Sequence, residues 1–177
     1  LIERLNPVQP FKETTVLPLD NPAGSDSPVI AVARDKAFCF YYPDNLEMLE
    51  KSGAQIKLFS PLEEDCLPEG IDGIYLGGGY PELFAEQLAE KKEMMDQINR
   101  FSKSGMPVYG ECGGFMALCR SLSGFNSTAS SPMSGCFDLS VAMSKRLRSL
   151  GYREIKLKTD TIIGRKGSVL RGHEFHY

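Results

Sequence analysis

The 177 residues suit one domain large enough to bury its own core, and 42% apolar content with a formal net charge of -3 describes a folded, mildly acidic protein. Basic residues are scattered rather than striped, which argues against a nucleic-acid surface, and Lys145, Arg146 and Arg148 read as a solvated face rather than a phosphate patch. No stretch approaches the ~20 apolar residues of a membrane span, and the N-terminus has no signal-peptide core.

Leu1 to Pro28 reads as a linker, with Pro7, Pro10, Pro18, Pro22 and Pro28 separated by Asn21, Gly24, Ser25 and Ser27. The chain opens without Met and stops at Tyr177 inside an apolar-polar alternation. The expectation is a fragment of a longer protein, with a folded part upstream and a domain over residues 29–177 truncated at its C-terminus. Val29 to Ala33 is a short apolar run, as expected of a strand buried on both faces of a parallel sheet. Pro43, Asp44 and Asn45 start a helix carrying Leu46, Met48 and Leu49, which ends near Gly53. Ile56 to Phe59 and Ile74 to Leu76 are the second and third strands. Pro81 opens a helical stretch marked by Leu83, Phe84, Leu88, Met94, Met95, Ile98 and Phe101, either one long helix or two joined.

Gly105 stops that stretch, and Met106 to Tyr109 is the fourth strand. Phe115, Met116, Leu118 and Leu122 suit a further helix, with Cys119 inside it, and Ser123 to Gly135 an exposed loop. Tyr152 to Leu157, Thr161 to Ile163 and Phe175 to Tyr177 alternate, and read as mixed or antiparallel strands at the sheet's far side. The order as a whole predicts an α/β sandwich with a mainly parallel sheet.

The five cysteines (Cys39, Cys66, Cys112, Cys119, Cys136) form no Cys-x-x-Cys pair, so a reducing cytoplasm fits better than a disulfide framework or a zinc site. One of them stands apart. Gly110-Glu111-Cys112-Gly113-Gly114 lies between a strand and a helix, the G-x-nucleophile-x-G turn with cysteine in place of serine. Glycines are needed where a strained turn lifts the nucleophile, and the helix N-terminus behind it favours thiolate. The rival reading is a small buried cysteine in a Gly-rich turn.

Leu76-Gly77-Gly78-Gly79-Tyr80-Pro81-Glu82 is the second signal. One of its amides, from Gly78 or Gly79, could join the Gly113 amide in a hole for an oxyanion. A phosphate loop is the rival, but Gly-x-x-x-x-Gly-Lys-Ser/Thr is absent. The third signal is Arg171-Gly172-His173-Glu174-Phe175-His176-Tyr177, with the only two histidines in the chain. A cysteine nucleophile needs a base, and either histidine can serve. On a strand, Glu174 and His176 share one face, while His173 and Phe175 share the other. A metal reading of His-Glu-x-His lacks the helical spacing and any further ligand, so no metal site is expected.

Together with Phe38-Cys39-Phe40-Tyr41-Tyr42-Pro43-Asp44-Asn45-Leu46, these segments resemble the cobyrinic acid a,c-diamide synthases, over the C-terminal class I glutamine amidotransferase domain of the cobyric-acid-synthase-like type. The resemblance runs from about Val29 to Tyr177. It implies a three-layer, flavodoxin-like architecture and glutamine as substrate. It also implies an N-terminal synthetase domain, of which Leu1 to Pro28 would be the tail, using ATP and Mg²⁺ to activate carboxylates of a corrin precursor. This fragment itself would hold no cofactor. The resemblance further implies Cys112 as nucleophile and His176 as base, with His173 a supporting residue and Glu174 a candidate orienter. The third triad member usually follows its histidine by two residues, a position beyond Tyr177. The alternatives are the same chemistry on nickel sirohydrochlorin, a cysteine hydrolase or glyoxalase-like protein, and a docking module whose turn has lost its chemistry.

Overall fold

The computed structural model describes residues 27–125 and 129–176. Nearly all of the expected linker over 1–28, part of the expected loop over 123–135, and Tyr177 lie outside the described residues.

Four strands make the central sheet: β1 (Val29–Ala33), β2 (Gln55–Phe59), β3 (Gly73–Leu76) and β4 (Val108–Gly110). All pair in parallel in the order β2-β1-β3-β4. Successive strands run the same way, so each connection must cross over: helices do so between β1 and β2 and between β3 and β4, and residues 60–72 join β2 to β3 without one. Helix α1 (Pro43–Lys51) links β1 to β2 and starts with Pro43 in its first turn. A short 3₁₀ turn at Pro81–Leu83 leads to α2 (Ala85–Glu90) and α3 (Lys92–Lys103), so the predicted helical stretch is two joined helices that break at Lys91. Gly105 ends α3 with φ 86°, a left-handed conformation that glycine adopts without a Cβ clash.

The core lies between the sheet and α2, α3 and α4 (Gly113–Leu118). Ala31, Ala33, Phe59, Ile74 and Leu76 of the strands meet Leu88, Met94, Met95, Ile98 and Leu118. Met94, Ile98 and Phe101 recur at helical spacing and turn one face of α3 inward. Burying a side chain the size of Ile98 contributes about 1.5–3 kcal/mol, and this face anchors the strand ends that carry the site. On the opposite face Ile30, Tyr75 and Tyr109 line a groove with Met48 and Leu49 of α1. Among the described residues no helix is long and apolar enough to cross a membrane.

Three expectations need correction. Helix α4 stops at Leu118 and does not run on to Leu122, because Cys119–Ser123 is strand β5 and Cys119 is its first residue. The helix is cut short by a distant segment: the Ser134 hydroxyl and amide both donate to the Ala117 carbonyl, at 2.8 and 3.1 Å. The Gly135 amide donates to the Cys119 carbonyl at 2.9 Å. Second, the expected exposed loop contains strand β6 (Ser131–Pro132) and the buried Met133 and Ser134. Strand β6 pairs with β5, which also pairs with β7 (Phe137–Ala142). Third, the last strands do not extend the central sheet. Strands β8 (Ser149–Lys156) and β9 (Val169–His176) pair antiparallel with each other as a separate two-stranded sheet. Thr161 to Ile163 lies in the connection between them, where Thr161 bridges back to Gly164. A hairpin satisfies its ladder locally, so alternation alone does not reveal which sheet it joins.

Candidate active site

Cys112 is exposed and occupies the turn between β4 and α4 with φ 50° and ψ -116°. Among the described residues it is the only non-glycine with positive φ. Such a conformation costs about 1–3 kcal/mol and persists only where the surroundings enforce it. Here they do. A Cβ on Gly114 would overlap the Leu76 carbonyl, and one on Gly110 would stand 2.6 Å from Leu118 Cδ1. The Gly114 amide donates at 2.8 Å to both the Gly77 and Glu111 carbonyls, which ties the turn to the loop after β3.

That loop brings the predicted glycines to the cysteine. A Cβ on Gly113 would lie 3.1 Å from the Gly79 oxygen and 3.2 Å from the Gly79 nitrogen, so the two residues touch. Gly78 is differently placed. It forms an antiparallel bridge with Phe40, its amide donating to the Phe40 carbonyl at 3.1 Å and its carbonyl accepting at 3.0 Å. Of the two loop candidates, Gly78 therefore has its amide engaged. The Gly79 and Gly113 amides have no acceptor among the described residues. Both turns sit at the carboxyl ends of parallel strands, where open α/β sheets bind ligands.

Tyr41 supports this loop from below. Its hydroxyl donates to the Ala33 carbonyl and accepts from the Gly77 amide at 2.9 Å. Burial pushes its phenol up to about 12, against the lowering effect of the Gly77 bond. Tyr41→Phe leaves the Gly77 amide without its partner and is expected to cost about 1–3 kcal/mol. The check is a lower urea midpoint at an unchanged m-value.

Glu174 and His176 share one face of β9, and Glu174 Oε1 lies 3.3 Å from His176 Nδ1. The other carboxylate oxygen accepts from Arg153 Nε at 2.5 Å. A hydrogen bond from Ser149, with the Arg153 and His176 interactions behind it, holds the Glu174 carboxyl below its usual range. His173 points to the other face, with its ring 5.4 Å from that of Tyr152 on β8. Thus the structure assembles Cys112, Gly113 and Gly79 as one group and Glu174 with His176 as another. Among the described residues no hydrogen bond or ion pair joins His176 to Cys112.

Sequence reasoning left several residues of this site without a role. Tyr41, Tyr75 and Tyr109 stack across the sheet, and Glu111 accepts from two of them. Tyr75 and Tyr109 lie on β3 and β4 but Tyr41 in the connection from β1 to α1, so their meeting carries no local sequence signal.

The CobB/CobQ-like glutamine amidotransferase domain matches residues 29–177. The chain is also 45% identical over 148 residues to a cobyrinate a,c-diamide synthase of Caldanaerobacter subterraneus, covering 84% of this chain and 32% of that protein. It is 43% identical over 167 residues to the Dehalococcoides mccartyi protein of the same name, covering 94% of this chain and 34% of the relative. A third such synthase, from Listeria monocytogenes, is 47% identical over 148 residues, covering 84% and 32% respectively. The chain thus spans about a third of the length of these curated relatives. A strained cysteine turn between strand and helix, set against a glycine loop, with a match from the first strand to the last residue, leads to one conclusion: the chain belongs to the family of CobB/CobQ-like glutamine amidotransferase domains.

Proposed function

We propose that this domain hydrolyses glutamine through a Cys112 thioester and supplies the ammonia to a cobyrinate a,c-diamide synthase. The observation that carries the reading is Cys112 held at φ 50° with the free Gly79 and Gly113 amides beside it. Cys112 gives its proton to His176 and its sulfur attacks the side-chain amide carbon of glutamine. The carbonyl oxygen becomes an oxyanion, and the Gly79 and Gly113 amides donate to it. As the tetrahedral adduct collapses, the C–N bond breaks and His176 returns the proton to the departing ammonia. Water, deprotonated by the same histidine, then attacks the thioester, and glutamate leaves as the thiol re-forms. Glu174 orients His176 from Nδ1, so Nε2 is the nitrogen that moves protons.

In the whole synthase, ammonia would replace an activated oxygen on carboxylates of a corrin precursor, giving the a and c amides. ATP and Mg²⁺ belong to a synthetase segment outside the matched residues. The glycine loop here is not a phosphate loop: the Gly78 amide is bonded to Phe40, and no Gly-Lys-Ser/Thr follows to reach a phosphate. No step above runs through ATP or metal.

His176→Asn tests the base. In the whole synthase, glutamine hydrolysis is expected to fall about 10²–10⁴-fold, with Glu174→Gln losing about tenfold. The steady-state glutaminase rate is the readout. A His176→Asn enzyme within threefold of the parent would remove His176 from the mechanism.

A further inference from the structure

A carboxylate and three stacked tyrosines lie beneath the site with no part in the chemistry above. Tyr75 Oη donates to Glu111 Oε1 at 2.5 Å, and Tyr109 Oη donates to Glu111 Oε2 at 3.3 Å. The rings of Tyr41 and Tyr75 meet edge to face at 5.3 Å and 71°, and those of Tyr75 and Tyr109 at 5.3 Å and 69°. The Arg34 guanidinium sits 5.3 Å from the centre of the Tyr41 ring. Glu111 is the one residue between the last residue of β4 and Cys112. Its amide donates to the Leu76 carbonyl at 3.1 Å, and its carbonyl accepts from Gly114 at 2.8 Å.

We infer that Tyr41, Tyr75, Tyr109 and Glu111 are positioning residues that set the Cys112 turn and the Gly79 amide against each other. The inference rests on the nucleophile reading of Cys112. Each half of the site hangs from the same ladder of rings. Tyr41 holds Gly77 two residues before Gly79, while Tyr75 and Tyr109 hold Glu111 one residue before Cys112. The Gly114 amide bridges the two halves through Gly77 and Glu111. The rings are packed edge to face against one another, so neither half can shift without disturbing the other. The tyrosines also deal with a charge problem. A carboxylate aimed at the neighbouring sulfur would oppose thiolate, and the two hydroxyls draw it toward the sheet instead. Burial first, and then Glu111, raises both phenols above their usual value, which keeps both hydroxyls protonated as donors.

Positioning predicts a loss in turnover rather than in glutamine binding. In the whole synthase, Glu111→Ala should lower the glutaminase kcat about 10²-fold with KM within about twofold, the cost of a misplaced reacting atom. Glu111→Gln keeps the shape and one acceptor, and should stay within about fivefold of the parent. Tyr75→Phe should lose about tenfold, and adding it to Glu111→Ala should cost nothing more, because the two act as one unit. Thermal melts establish that each variant is folded. A Glu111→Ala enzyme with kcat within threefold of the parent would overturn the inference. So would a loss confined to KM, failure of Glu111→Gln to rescue, or additive losses in the double variant. If Cys112→Ala keeps its turnover, the nucleophile reading itself fails. If Cys112→Ala is dead and Glu111→Ala is not, only the positioning role fails.

Discussion

Replacing Cys112 with alanine is expected to lower glutamine hydrolysis about 10⁴-fold while leaving the domain folded. In the proposed mechanism the loss is large because the Cys112 sulfur forms and breaks the covalent bond, and the oxyanion amides alone leave only residual catalysis. The fold survives because the side chain is exposed and what the turn uses is backbone: the Cys112 carbonyl accepts from Met116 at 3.2 Å. Alanine at φ 50° carries the same strain as cysteine. Cys112→Gly should be equally inactive yet more stable by about 1 kcal/mol, because glycine adopts that conformation freely. The pair separates chemistry from folding, with activity and melting temperature measured on the same preparations. Turnover of Cys112→Ala within tenfold of the parent would sink the assignment.

The largest expected effect on stability comes from Gly114→Ala. A Cβ there would lie inside the Leu76 carbonyl group and 2.8 Å from Leu76 Cβ. The obstacle is backbone of a central strand, so no side chain can rotate out of the way. Relief requires α4 to back off from β3, which breaks the 2.8 Å bond from the Gly114 amide to the Gly77 carbonyl and separates the two halves of the site. The expected cost is about 3–5 kcal/mol, most of a typical domain's margin, read as loss of soluble protein or a collapse of the urea midpoint. Gly172→Ala is the contrast: nothing lies within 4 Å of its Cβ, and the change should stay within about 0.5 kcal/mol.

The parallel sheet was legible because its signals are local. Val29 to Ala33 is the observed β1, and β2, β3 and β4 differ from the expected runs by only a few residues at their ends. The Cys112 turn was legible for the same reason, since its glycines are immediate neighbours whose side chains would collide. What failed depends on partners far along the chain. Phe115, Leu118 and Leu122 fit a helical period, yet Ser134 and β7 draw Cys119 onward into a strand. Alternation correctly marked strands at Tyr152 and at Phe175 but wrongly at Thr161 to Ile163, which is a turn, and pairing between β8 and β9 leaves no trace in either one alone. The tyrosine ladder was hidden similarly, because Tyr41 of the connection after β1 meets Tyr75 of β3 and Tyr109 of β4 only once β1, β3 and β4 lie side by side. Motif spacing also left Gly78 and Gly79 equivalent, and only the Phe40 bridge tells them apart.

The most direct test of Cys112 as a glutamine-specific nucleophile is labelling with a glutamine-derived diazo-ketone, followed by peptide mass mapping of this domain's five cysteines. Cys39 and Cys66 are exposed too and serve as internal controls for simple thiol accessibility. The expected result is a single adduct on Cys112, suppressed by excess glutamine. An adduct spread over Cys39, Cys66 and Cys112, or one indifferent to glutamine, would contradict it.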